Sequence, residues 1–211
     1  MKGLLLKDFY QVVKYCRSYL LICLMFLGIS LFADNNVFFI VYPCLLASMI
    51  PMNLIAYDTS SRWETMCLTL PYSRSQLVSA KYLVGLICEA GVIFLTVLSL
   101  GLKMGITGVF SASELGELAN TLMTIALLLP ALMLPLIFKL GVEKGRVFYI
   151  AAIGTIMAVS ALFFARFSEM GIQFDFSIPP IARTVALPLL AIVLYILSWR
   201  LSIHFYEKRD F

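Results

Sequence analysis

The chain has 211 residues, 62% of them hydrophobic and 13% charged, with a mean hydropathy of +0.96, far from the soluble average of about half apolar and about a quarter charged. Such a composition belongs in lipid, and spans of roughly 20 residues each would leave no room between them for a soluble catalytic domain. The net charge of +4 sits at the flanks of apolar runs, so it argues for membrane topology and against a nucleic-acid partner.

Met1 to Ser18 carries Lys2, Lys7, Lys14 and Arg17, too long and too regular for the charged start of a secretion signal, with no small-residue cleavage site after the next apolar run. On a helix, Leu5, Phe9, Val12, Val13 and Cys16 share one face, and Lys7, Asp8, Gln11, Lys14 and Ser18 share the other. The expectation is an amphipathic helix over 1–18 lying on the cytoplasmic leaflet.

Apolar runs then predict six spans at 19–33, 37–57, 80–102, 118–138, 147–165 and 181–203. With both termini on one side, that side holds thirteen Lys and Arg (four before the first span, Arg62, Arg74, Lys81, Lys139, Lys144, Arg146, Arg200, Lys208 and Arg209), against Lys103, Arg166 and Arg183 on the other. Basic residues mark the cytoplasmic side, so both termini are expected there. Pro43, Pro51, Pro130, Pro135 and Pro188 fall inside spans and mark places for kinks. Gly154 and Ala158 form a small-xxx-small pair, and one half of the chain does not repeat the other. The expected fold is an all-α integral membrane protein, one transmembrane domain over 1–211.

The connection Asp58 to Lys81 carries two helix-start signatures, Ser61 with Glu64 and Ser73 with Gln76. Between them Trp63, Met66, Cys67 and Leu70 repeat at helical spacing, and Pro71 ends the run. The prediction is a capped amphipathic helix of roughly nine residues, far below spanning length. Two readings stand for it. Trp63 and Met66 fill a groove in a soluble partner, rimmed by Arg62, Glu64 and Arg74, or the apolar face lies on the membrane or the bundle.

Asp58, Trp63-Glu64, Leu68, the turn Leu70-Pro71-Tyr72-Ser73-Arg74, Val78 and Ala80-Lys81-Tyr82-Leu83, after an amphipathic helix and two spans, resemble the permease subunits of ABC type-2 exporters. The chain looks most like their small bacterial branch, which includes the exporter of phenol-soluble modulins. The likeness covers nearly the whole chain in topology and about 25 residues in motif. It implies that the segment 58–71 is a coupling helix docking on an ATPase, with Arg62, Trp63, Glu64, Met66, Cys67, Leu70 and Arg74 at the contact. It also implies two six-helix permeases, identical or paralogous, with two ABC ATPase subunits in a bacterial plasma membrane. Arg166 to Pro180 is shorter than the insert of larger relatives, so an extracellular lid is not expected.

The chain itself is not expected to catalyse. It has no G-x-x-x-x-G-K-[ST], so ATP and Mg fall to the partner. Cys16, Cys23, Cys44, Cys67 and Cys88 contain no CxxC pair and read as reduced hydrophobes, and the single His204 gives no zinc spacing. Glu114 and Glu117 read as charges facing a helix N-terminus; Trp199, Tyr57 and Tyr82 read as interfacial belt residues.

Glu89 is the one charge deep in a span. Three readings are open for it: lining a translocation path for cationic or amphipathic cargo, donating a hydrogen bond across a helix contact, or snorkelling to the inner surface. The resembled branch moves amphipathic peptides, and the apolar, Met- and Phe-rich spans suit amphipathic or lipid-like cargo. The competing function is a six-span substrate-capture subunit of a vitamin or small-molecule importer, which would need a preformed polar pocket.

Overall fold

A computed structural model describes residues 2–32, 37–67, 69, 72–107, 111–169 and 182–208. Among them the secondary structure is helical throughout: α1 (Lys2–Tyr15), α2 (Arg17–Phe32), α3 (Val37–Ser48), α4 (Ile50–Ser60), α5 (Trp63–Cys67), α6 (Arg74–Thr107), α7 (Ala112–Leu140), α8 (Val142–Glu169) and α9 (Leu187–Glu207). Each predicted span falls on a helix or a pair of helices. Four are long and apolar enough to cross a bilayer, at Phe38–Ser60, Arg74–Ile106, Ala112–Leu140 and Thr184–Glu207, and a fifth is added if α1 and α2, bent by 66°, count as one. The predicted first span corresponds to the 16-residue α2, about 24 Å long at 1.5 Å per residue. The predicted fifth corresponds to α8, and side chains of the outer segment 170–181 lie outside the described residues.

The proline expectations divide. The second span breaks at Met49 between α3 and α4, where the Met49 N–H turns back to the Leu46 carbonyl and Pro51 occupies the first turn of α4, a position that needs no donor. Pro130 and Pro135 stay inside a continuous α7. Pro188 sits in the first turn of α9, after a π-helical turn at Ala182–Ala186.

Two glycines shape the turn from α7 to α8. Gly141 adopts φ 85° and accounts alone for the break between α7 and α8, a left-handed conformation that glycine tolerates. A Cβ on Gly145 would lie 2.9 Å from the Ile137 Cα across this hairpin. Gly154, by contrast, faces open space, and both it and Ala158 are exposed, so the small-xxx-small pair brings no helix close among the described residues.

The core has two parts. One lies where α1, α4, α5, α6, α7 and α9 converge, around Leu4, Ile55, Cys67, Val78, Leu134 and Tyr206. The other joins α1, α3, α4, α6 and α7 around Val12, Cys16, Cys44, Leu54, Val84 and Leu122. The cysteines are free thiols, and burial raises the Cys67 thiol above its ordinary value, which makes it an inert packing group.

Candidate functional site

α1 departs from the expected orientation. Its inward stripe is Leu4, Asp8, Val12 and, just beyond its end, Cys16, whereas Leu6, Phe9, Tyr10 and Val13 are exposed. Of the face read as polar, Lys7, Asp8 and Gln11 turn toward the protein while Lys14 and Ser18 are exposed; of the face read as apolar, Val12 and Cys16 are buried while Phe9 and Val13 are exposed. The reason lies far along the chain: Asp58 near the end of α4 and Lys81 two turns into α6 meet Lys7 and Asp8 in a closed ring of four charges.

Lys7 Nζ lies 2.6 Å from Asp58 Oδ1 and 3.2 Å from Asp8 Oδ1. Lys81 Nζ completes the ring at 2.7 Å from Asp8 Oδ1 and 2.5 Å from Asp58 Oδ2. Gln11 Nε2 donates to Asp58 Oδ1 at 3.0 Å. Asp8 is fully buried, and Asp58 and Lys81 nearly so. Two positive and two negative charges cancel, the condition under which burial of so many ions is tolerable. A one-residue change of register in α1 would separate the ring, so the ring fixes α1 against α4 and α6.

The ring also holds the segment expected to meet an ATPase. Lys7 Nζ stands 4.5 Å above the Trp63 ring, a cation–π contact, and Trp63 packs on the first core cluster. Trp63 thus faces the chain's own interior. Met66, 67% exposed, is the apolar side chain α5 presents outward, and Cys67 is buried. Arg62 is exposed at φ 54°. The Glu64 side chain, Leu68, Leu70 and Pro71 lie outside the described residues. Arg74 donates from its guanidinium to the Glu207 carbonyl at 2.8 Å, tying the start of α6 to the last turn of α9.

Among the described residues α5 covers five of the roughly nine expected, and Leu68 and Leu70 in the remainder lie outside them. Ser61 does not start it: the Ser61 hydroxyl donates to the Asp58 carbonyl at 3.2 Å, finishing α4. The second signature forms as read. The Ser73 N–H donates to Gln76 Oε1 and the Gln76 N–H to Ser73 Oγ, both at 3.3 Å. Ser111 likewise caps α7 by accepting from the Glu114 N–H, and Glu114 and Glu117 are exposed in its first turns.

A second polar assembly joins α6 to α9. Tyr82 is fully buried, with its hydroxyl 2.8 Å from Ser198 Oγ and 2.7 Å from Ser202 Oγ. The Tyr195 hydroxyl donates to the Tyr82 carbonyl, the Trp199 indole donates to Ser79 Oγ, and the Tyr82 and Trp199 rings stack at 5.6 Å. Tyr82 is thus a helix-contact residue and not a belt residue. Tyr57 is partly exposed and stacks on Tyr15. The signal for this contact was present in α9, where Tyr195, Ser198, Trp199 and Ser202 recur at three and four residues in an otherwise apolar helix.

Glu89 is 3% exposed and borders a cavity of about 300 Å³ between α6, α7 and α9. Its Oε1 has no hydrogen-bond partner among the described residues, so this oxygen makes no bond across a helix contact.

A family model described as ABC-2 family transporter protein matches residues 3–207. No curated protein and no solved structure matches the chain. The match runs from α1 to the end of α9 and takes in the charge ring, α5 and Glu89. A multi-pass helical protein matched over this length belongs to the ABC-2 transporter family, as a membrane permease subunit of an ABC transporter.

Proposed function

We propose that this chain is the permease of an ATP-driven exporter in which two such subunits, identical or paralogous, stand on two ABC ATPase subunits in a bacterial plasma membrane. Six spans with both termini cytoplasmic follow if α2 and α8 are the first and fifth. ATP and Mg belong to the ATPase, and the permease does no covalent chemistry. Its cargo is an amphipathic peptide of antimicrobial or toxin-like kind, or a lipid-like molecule. Cavity walls that are almost wholly apolar support this cargo over a small polar vitamin.

The observation that carries the reading is the charge ring under α5. A short helix between two spans transmits force only if its base does not slide in the headgroups. Lys7, Asp8, Asp58 and Lys81 lock that base to α1, α4 and α6, and Lys7 reaches Trp63 itself. Met66 then serves as the contact with the ATPase, Arg62, Glu64, Leu70 and Arg74 as its surroundings, and Trp63 and Cys67 as its support from below. The exposed Leu6, Phe9, Tyr10 and Val13 suit α1 to the cytoplasmic leaflet, with Lys7 and Asp8 facing protein.

The test is co-purification with each ABC ATPase of the source genome. Wild type is expected to retain one of them, and Met66→Asp to weaken retention at least about tenfold, as loss of an apolar anchor does. Absence of any ATPase on the wild type, or equal retention by Met66→Asp, would overturn the assignment.

A further inference from the structure

The cavity beside Glu89 is built from three helices. Glu89 and Ile93 come from α6, Met123 and Leu127 from α7, and Ile192 and Trp199 from α9. Its volume, about 300 Å³, is at the lower end of small-molecule sites. Met123 and Ile192 at its border are exposed, so it opens on the surface of the chain.

Glu89 is the one charged residue in a largely apolar wall, and its Oε1 has no hydrogen-bond partner among the described residues. Buried polar atoms are nearly always hydrogen-bonded, and an orphan calls for an explanation. The neighbouring basic residue on α6, Lys81, is two turns away and committed to Asp8 and Asp58. Tyr195, also at the cavity, gives its hydroxyl proton to the Tyr82 carbonyl, and the Trp199 N–H is given to Ser79. The two donors at the cavity, the Tyr195 hydroxyl and the Trp199 indole, are therefore spent on other acceptors.

We propose that this cavity binds an amphipathic amine, with its apolar chain along α7 and α9 and its ammonium group on the Glu89 carboxylate. The ammonium supplies three donors and a positive charge to an acceptor that otherwise has neither, and the chain replaces lipid against an apolar wall. An alcohol or fatty acid of equal length would fill the same space, but neither brings a cation. The proposal rests on the exporter reading for its meaning, as the site at which cargo enters from the membrane, whereas the binding itself requires no ATPase.

Trp199 makes the site directly observable, since the chain has two tryptophans and Trp63→Phe leaves Trp199 as the reporter. In nanodiscs of zwitterionic lipid, a terminally brominated dodecylamine is expected to quench Trp199 with saturation. Glu89→Gln in the same background is expected to weaken apparent affinity about tenfold, while a brominated dodecanol binds both forms alike. Thermal stabilisation by dodecylamine of otherwise wild-type protein, absent in Glu89→Gln, gives a second readout that leaves Trp63 in place. Equal affinity of amine and alcohol, or equal affinity of the two forms for the amine, would overturn the role of the ammonium. Quenching that rises without saturation would overturn the site. Either failure leaves retention of the ATPase untouched, so the two assignments fall separately.

Discussion

Lys81 carries two of the four ion pairs at the base of α5, and its removal strands Asp8 in the core with Lys7 as its remaining cation. Breaking a buried pair on one side destabilises by about 3–5 kcal/mol, more than replacing both members, because one charge is left unmatched. Asp8→Asn and Lys81→Gln are therefore each expected to lower stability by about that amount, and the double variant by about 1–3 kcal/mol less than their sum. Denaturant unfolding in detergent micelles measures all four forms, and simple additivity would mean that the ring is not an energetic unit. These residues were legible one at a time: Lys7, Asp8 and Gln11 stood out as a polar face, and Asp58 as the start of a connection. Their pairing was not, because helical periodicity reports only neighbours within a few residues, while these hydrogen bonds span 47 to 73 positions. A polar face is ordinarily a solvated face, and only the distant countercharges turned Lys7, Asp8 and Gln11 inward while Lys14 and Ser18 stay exposed.

Helix contacts depend on shape as much as on charge, and α4 meets α6 through an unusually close one. A Cβ at Gly85 would come within 2.5 Å of Pro51 Cγ, whereas a Cβ at Gly28 would meet nothing within 4 Å. Gly85→Ala must push α6 away from the break at Met49, at an expected cost of about 1–3 kcal/mol. Gly28→Ala sits in an open stretch of α2 and is expected to be neutral or slightly stabilising, since alanine is the better helix former. Thermal unfolding of the two variants side by side checks the contrast, and a harmless Gly85→Ala would show that the α4–α6 approach can relax. The helices themselves were readable from apolar runs, because spanning length and composition are local properties. The start of α5 was misread for an equally local reason. Ser-x-x-Glu describes a hydroxyl that accepts from the next helix, but Ser61 follows α4 so closely that its hydroxyl donates to the Asp58 carbonyl instead. Ser73, separated from the preceding helix, was free to form the reciprocal cap with Gln76.

At the scale of the molecule the number of crossings decides where α5 and the charge ring work, since an ATPase is reached only from the cytoplasm. Among the described residues hydropathy and length give four spanning helices, or five with the bent α1–α2 pair, and the six-span proposal adds α8 and assigns α1 to the membrane surface. The count has a parity that labelling can read: an even number puts Lys2 and Lys208 on one side, and an odd number separates them. Both residues are exposed, as is Ala112 at the start of α7, and the native cysteines are buried or half-buried, so background reaction with a membrane-impermeant maleimide is expected to be low. In intact cells Ala112→Cys is expected to label, and Lys2→Cys and Lys208→Cys only after permeabilisation. Labelling of one terminus alone from outside would make the count odd and remove either α2 or α8 from the spans. Labelling of both termini, with Ala112→Cys silent, would invert the molecule and place the ring and Met66 on the face that no ATPase reaches.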